Sequence, residues 1–214
     1  MKKILLLFFP LLFSSFAFAQ YEFGFGLGSS MLVKKPADVD VQSALNVTGY
    51  IQREFRLSHS LIFEPRLSFL AGRYFVDGIF SKPANGETVF SKMPDTYKQN
   101  RLTITSIRIP LFLKYEFFKN DHREGIAIGA GPYFEYVTSI RQLYKLNNNN
   151  YSDPALIDNH FQAGLGIDFG TSGKVVKSNR LGFGGGMQYQ LTDYLHNNPS
   201  FKPLIFYLRL GYRF

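Results

Sequence analysis

The sequence predicts an all-β protein: an eight-stranded antiparallel up-and-down barrel whose strands cross a membrane. The chain holds 23 Phe, 13 Tyr and 19 Gly, yet its mean hydropathy is close to zero, at −0.08. Apolar residues recur at every second position over long segments, which is the period of a β-strand and not of a helix. Neutral hydropathy with many aromatic residues is typical of a membrane barrel, because only alternate residues face lipid.

Residues 1–19 are expected to form a secretory signal peptide that is cleaved before Gln20. Lys2 and Lys3 provide a basic start, residues 4–16 are almost entirely apolar, and small residues stand where a signal peptidase reads, at Ala17 and Ala19. The apolar run is short for a transmembrane helix, which needs about 20 residues. The predicted barrel therefore comprises residues 20–214 as one domain. The chain has no Cys, which excludes disulfides, zinc–thiolate sites and a lipoprotein anchor.

Eight strands are predicted, and many reach the ~9–11 residues that a tilted strand needs to cross a bilayer. In the first, aromatic residues and Leu alternate with Gly, and the interior glycines disfavour a helix. The second and third alternate aliphatic or aromatic residues with polar ones, and the fourth does so over the greatest length. The predicted strands are residues 21–32, 44–55, 61–74, 102–118, 125–138, 160–170, 180–192 and 203–214.

The last four strands keep the same alternation with more glycine. In the fifth, sixth and seventh, Ile, Leu, Phe and Met stand opposite Gly and a few polar residues. The eighth places Phe206, Leu208 and Leu210 on one face and Arg209 and Arg213 on the other. Connections after odd-numbered strands are long and those after even-numbered strands are short, which is typical of an outer-membrane barrel with long loops outside and both termini in the periplasm.

The polar face should point inward. A soluble lipocalin-like barrel would turn its glycine rows toward water, where they cover nothing. Inside a narrow membrane barrel they leave room for neighbouring side chains, whereas an Arg or Lys facing lipid costs about 2–4 kcal/mol near the midplane. We expect Glu22 and Arg213 to pair where the first and last strands meet. The predicted lumen charge network is Glu22, Glu54, Glu64, Arg66, Arg108, Lys114, Glu116, Glu135, Asp168, Arg209 and Arg213.

Several segments resemble the PorT-like outer-membrane β-barrel family, which is common in Bacteroidota. The similar segments are Ile109–Phe117 (IPLFLKYEF), Gly129–Phe134 (GAGPYF), the glycine-rich strand 161–170, Leu181–Asp193 and the closing Leu210–Phe214 (LGYRF). The resemblance implies an eight-stranded barrel and, for the namesake, a connection with protein export. The aromatic end also resembles the terminal strand that the outer-membrane assembly machinery reads, here through Leu210, Tyr212 and Phe214.

Side chains fill the interior of an eight-stranded barrel, so we expect a structural or interaction protein without catalytic site, cofactor or metal. A narrow porin-like channel and a lipid-modifying enzyme are the alternatives. The enzyme would use histidine with serine and an acid. His59, His122, His160 and His196 are expected to be solvated loop residues, and their spacing matches no metal template.

The partners expected from charge and position are lipid and lipopolysaccharide. Formal net charge is +8, and it becomes 8 − 2 = +6 without Lys2 and Lys3. These charges are dispersed, so nucleic acid is not an expected partner. Secretion-system or surface proteins are further candidates, through the long loops. The aromatic residues of loop 75–101 either extend two strands above the membrane or form a contact patch; strand extension is favoured.

Overall fold

The computed structural model describes residues 20–82, 86–94, 96–117, 124–147, 149–155, 157–173, 180–195 and 201–214. The expected signal peptide, His122 and His196 lie outside these ranges. Within them, the structure contains no helix with the length and apolar character needed to span a membrane.

Eleven β-strands form from the described residues. Strictly alternating burial, as in β3, shows the two-residue period in three dimensions. The strands are β1 (Gln20–Lys34), β2 (Val41–Arg56), β3 (Leu61–Val76), β4 (Gly78–Ser81), β5 (Val89–Lys92), β6 (Tyr97–Phe117), β7 (Glu124–Leu146), β8 (Asn149–Pro154), β9 (Phe161–Gly173), β10 (Leu181–Gln190) and β11 (Lys202–Arg213).

Eight of these strands close an antiparallel barrel, which confirms the predicted fold class. The order around the barrel is β1–β2–β3–β6–β7–β9–β10–β11, and β11 pairs with β1. Each barrel strand therefore neighbours the barrel strands before and after it in the chain, as in an up-and-down barrel. At the seam Glu22 lies opposite Arg213, and two backbone hydrogen bonds join Tyr21 to Phe214.

Two strands extend far beyond their predicted bounds at the end where the long connections lie, whereas β10 ends two residues short of its prediction. β6 begins at Tyr97 and β7 ends at Leu146, where the two residues are paired, although the sequence predicts strands only from 102 and only to 138. The extra length forms because the two extensions pair with each other and β8 pairs with β7. The remaining strands, β4 and β5, form a separate hairpin in the connection between β3 and β6.

The outer wall of the barrel is apolar. Phe25, Leu27, Phe69, Phe134 and Leu208 are each at least half exposed. Soluble monomers rarely expose so continuous an apolar surface. The wall is the lipid face of a membrane barrel, and the polar partners of the same strands turn into the lumen.

Candidate functional site

The lumen is filled by three layers of polar side chains and is covered at one end by an apolar layer. The layers are described from the end that holds the chain termini toward the end that holds the long connections. The first end is called the near end and the second the outer end.

The near layer holds the acids and bases closest to the termini. Glu22 Oε2 accepts a hydrogen bond from Arg213 Nε at 2.7 Å, and Arg213 Nη2 lies 3.9 Å from Glu54 Oε1. Glu116 accepts both guanidinium hydrogen bonds of Arg56 at 2.8 Å. A bidentate Arg–carboxylate pair fixes geometry as well as charge, so β2 and β6 are tied together past β3, which lies between them.

The middle layer is centred on Asp168 of β9, whose exposed fraction is 0%. Its carboxylate accepts hydrogen bonds from Arg66 and Arg209, both at 2.9 Å, from the Tyr207 hydroxyl at 2.5 Å, and from Lys114. These donors come from β3, β6 and β11. Asp168 therefore neutralises cations that reach it from three other strands.

Glu64 is the second acid of the middle layer. It binds Arg66 at 2.7 Å and Lys114 at 2.8 Å, so that the two carboxylates share these two cations. Arg209 also reaches Glu22 at 3.0 Å and so connects the middle layer to the near layer. A buried charge is tolerated only when it is paired and hydrogen-bonded. Each charged group of the middle layer is paired in this way, although Arg209 Nε has no partner among the described residues.

The upper polar layer is only partly satisfied. Arg108 Nη2 donates to Glu135 Oε2 at 2.7 Å, and Nη1 donates to Gln188. Within the described residues, Ser106 Oγ, Tyr133 OH and Glu135 Oε1 are buried without a hydrogen-bond partner. A cavity of about 30 Å³ lies close by, with Arg108 and Gln188 in its wall. Such a polar cavity has room for one or two water molecules.

Glycines make space for the large side chains of the lumen. At Gly184 a Cβ atom would come within 2.7 Å of Arg209 Cζ and within 2.6 Å of the Phe169 carbonyl oxygen. At Gly170 it would come within 2.7 Å of Arg209 Nη2. The Arg209 side chain therefore packs against the backbone of β9 and β10 at these two glycines, where no side chain is present.

An apolar cap closes the outer end of the lumen, and it has no counterpart in the sequence prediction. Phe80 and Phe90 of the β4–β5 hairpin have ring centroids 4.6 Å apart, and both pack on Phe201. Tyr74 and Tyr194 contact Phe201 edge-on at 5.5 Å. We call these five residues the aromatic cap.

Hydrogen bonds hold the hairpin in place. The Phe80 amide donates to Gln142 Oε1 at 2.8 Å, and Gln142 Nε2 donates to the Phe80 carbonyl at 2.9 Å. Gln142 is a lumen-facing residue of the β7 extension. The two hypotheses for loop 75–101, strand extension and a contact patch, are therefore both incomplete. The residues at its two ends do extend the strands, whereas Phe80 and Phe90 turn inward and cover the lumen.

All eleven residues of the predicted charge network lie on barrel strands, and ten of them are buried, while Glu54 is half-buried. The prediction missed Arg56, which was placed in a turn although β2 continues to it. Arg56 follows Gln52 and Glu54 at two-residue spacing, so alternation could have found it. The prediction also missed three neutral members of the network, because they carry no charge signal. Gln52 accepts a hydrogen bond from Arg66 Nε at 2.9 Å, and the other two are Tyr207 and Gln188.

The predicted assembly signal lies at the seam. Tyr212 and Phe214 are exposed, Leu210 is partly exposed, and the Phe214 ring stacks on Phe23 with centroids 5.1 Å apart. The aromatic end of the chain thus contacts the first strand directly.

Two of the histidines lie in described residues. His59 is exposed in the turn between β2 and β3. His160 Nδ1 lies 2.8 Å from the Val137 carbonyl, and its ring stacks on Tyr136. Across the described ranges, no group of three His, Cys, Asp or Glu residues is arranged to hold a metal ion.

Several solved structures are similar to this chain at low identity. Ail, the attachment invasion locus protein of Yersinia pestis, is 9% identical with a TM-score of 0.43, over 92% of this chain and 97% of Ail. Neisserial surface protein A is 14% identical with a TM-score of 0.44, and the match covers 92% of this chain and 99% of that protein. A major outer membrane protein from Thermus thermophilus is 12% identical with a TM-score of 0.45, and the match covers 92% of this chain and 100% of that protein. These similarities are too weak to carry a functional conclusion.

No curated protein matches the chain. A family model does: the model described as outer membrane protein beta-barrel domain matches residues 14–196. This match covers most of the barrel and agrees with the apolar wall and the polar lumen. The chain belongs to the outer membrane protein beta-barrel domain family and is an integral protein of the outer membrane.

Proposed function

We propose that this protein is a non-conducting barrel that acts as an interaction protein, using the surface at its outer end. The observation that carries the proposal is the double closure of the lumen, first by the charge network around Asp168 and then by the aromatic cap. A wide water path would require the paired charges to separate. What remains available for function is the folded outer end, built from the β4–β5 hairpin and the β6–β8 extensions.

The orientation belongs to the proposal. Long connections of outer-membrane barrels face the cell exterior, so the outer end would be extracellular and both termini periplasmic. The charge network has a structural role in this proposal, with no catalytic residue in it. Tyr212 and Phe214 would guide assembly through the outer-membrane assembly machinery.

The alternative of a narrow channel is tested by conductance. Purified protein in planar bilayers should give no large and steady conductance, while a general porin in the same bilayers serves as the positive control. Stable conductance from the purified barrel would contradict the sealed lumen.

The interaction role is tested by photo-crosslinking in living cells. A photoreactive residue replaces Lys92, which is exposed on β5, and in a matched variant it replaces Phe134 on the lipid face. Specific adducts with protein or polysaccharide are expected at position 92 and lipid adducts alone at position 134. Equal adduct patterns at both positions would contradict a surface role.

Support of protein export is the more specific form of this role. The similarity of Ile109–Phe117 and Leu210–Phe214 to the PorT-like family supports it. Loss of exported proteins from the culture medium after deletion of the gene, restored by the wild-type chain, is the expected result. Unchanged export would leave a surface-binding role without export.

A further inference from the structure

A cleft of about 510 Å³ opens on the outer end, separate from the lumen network. The ends of β3 and β6 form one side, and the β7–β8 hairpin forms the other. Its volume lies within the range of about 300–1,000 Å³ that small-molecule sites occupy. Five residues of the cleft matter here, and none of them belongs to the charge network or the aromatic cap: Asn100, Arg101, Tyr144, Lys145 and Tyr151.

An irregularity in β6 places a buried acceptor in this cleft. The pairing of β6 with β7 shifts register between Lys98 and Arg101, so one extra residue is inserted into β6. Such bulges redirect side chains. Asn100, which lies in the bulge, is 2% exposed; its Nδ2 donates to the Gly78 carbonyl, and its Oδ1 has no partner among the described residues. A buried acceptor without a donor is unfavourable, and a ligand hydroxyl would satisfy it.

Aromatic rings form the opposite wall. The rings of Tyr144 and Tyr151 stack at 5.7 Å with 15° between their planes, and Tyr97 packs against Tyr144 at 5.3 Å. Tyr151 is 41% exposed. The Tyr144 hydroxyl donates to Asp153, and this hydrogen bond raises the pKa of Tyr144 to about 12. The Tyr144 side chain therefore stays neutral, and the wall presents an aromatic face, which attracts the slightly positive C–H groups of a sugar ring.

The cleft also carries an excess of positive charge. Arg101 and Lys145 line it, and neither forms an ion pair with a carboxylate of the described residues. The guanidinium of Arg101 lies 5.2 Å from the Phe75 ring centroid. The one acid in the lining, Asp77, accepts a hydrogen bond from the Asp40 amide and keeps its negative charge. An anionic group would find two cations against this one carboxylate of the lining, so it would have to bind on the Arg101 and Lys145 side.

These observations point to one class of ligand. We propose that the outer cleft binds an acidic sugar unit of a glycan, with the sugar ring on Tyr151, a hydroxyl on Asn100 Oδ1 and the carboxylate or phosphate group near Arg101 and Lys145. The inference rests on the proposed surface role and names its ligand. Aromatic stacking selects a ring with an apolar face, and the cations select acidic sugars over neutral ones.

The test uses the full barrel in lipid nanodiscs on an array of acidic and neutral oligosaccharides. The wild type should retain acidic oligosaccharides. Tyr151→Ala should weaken retention at least tenfold, and Arg101→Gln should remove the preference for acidic over neutral sugars. Tyr151→Phe keeps the ring and should bind normally, as should Phe161→Ala, which removes a 71% exposed aromatic residue of the outer wall. A gel shift between boiled and unboiled samples checks that each variant is folded.

Competition identifies the source of the sugar. Lipopolysaccharide in the same nanodisc and a free acidic polysaccharide are added in separate arms, and the one that displaces the array ligand is the source. The proposal would be overturned if the wild type retained acidic oligosaccharides no better than Tyr151→Ala, or if neither competitor displaced the array ligand. If the sugar test failed in this way but protein adducts formed at position 92, the broader surface role would remain.

Discussion

Asp168 accepts hydrogen bonds from four side chains that reach it from three other strands. At the scale of the residue, its importance follows from this geometry. It is a fully buried carboxylate, and the guanidinium groups of Arg66 and Arg209 both lie against it. Glu64 pairs with the same cations, but it reaches Arg209 only at 3.9 Å. Asp168 is therefore the acid of the middle layer that accepts hydrogen bonds from all three cations.

Replacing this acid should have a large effect on stability. Asp168→Asn keeps the size of the side chain and removes its charge, so the buried cations lose compensation. We expect the free energy of unfolding to fall by about 3–5 kcal/mol. Urea unfolding in lipid vesicles, followed by the gel shift of the folded barrel, measures it. The control is Asp38→Asn, at an exposed turn position, which should leave stability unchanged. Equal stability of the two variants would refute this role for Asp168.

At the scale of the element, the barrel strands and their faces could be predicted from the sequence, whereas the aromatic cap could not. Alternation of apolar and polar residues decides which face meets lipid, and it continues without interruption through segments such as β3. The cap has no such signal. Phe80 and Phe90 sit on short strands, and Phe201 is more than a hundred residues away in the chain. Their contact depends on how a hairpin folds back, which is set by packing and not by local pattern.

The hydrogen bonds of Gln142 should control how firmly the hairpin is held. Gln142→Ala removes both bonds to the Phe80 backbone. Two net hydrogen bonds contribute about 1–3 kcal/mol, so we expect amide hydrogen exchange at Phe80 to accelerate at least tenfold. Exchange at Phe25, in β1, should be unchanged. Asn150→Ala, at an exposed position of β8, serves as the matched variant. Protection of Phe80 equal to the wild type would show that the aromatic contacts alone hold the hairpin.

At the scale of the whole molecule, Phe214 packs at the seam and is proposed to act in assembly, and experiment can separate these two roles. Phe214 packs on Phe23 in the folded barrel, and it also ends the strand that resembles an assembly signal. Phe214→Ala should lower the amount of folded barrel in cell outer membranes several-fold. Refolding into detergent, which needs no assembly machinery, should change much less because the lost ring is half exposed. The two yields are measured by the same gel shift.

Phe161→Ala is the control, since it removes an exposed aromatic residue away from the seam. Equal losses of Phe214→Ala in cells and in detergent would assign the whole effect to packing at the seam.

The seam has a consequence for the order in which the barrel is completed. β11 brings Arg209 and Arg213, which are the ion-pair partners of Glu22 at the opposite edge of the sheet. Until this strand arrives, Glu22 has the Tyr50 hydroxyl as its hydrogen-bond partner, and Asp168 lacks one of its cations. A sheet that lacks β11 would leave Glu22 on its β1 edge without an ion-pair partner, and Asp168 on β9 without Arg209. We therefore expect electrostatic attraction to favour docking of the basic strand, so that closure of the cylinder also neutralises these carboxylates.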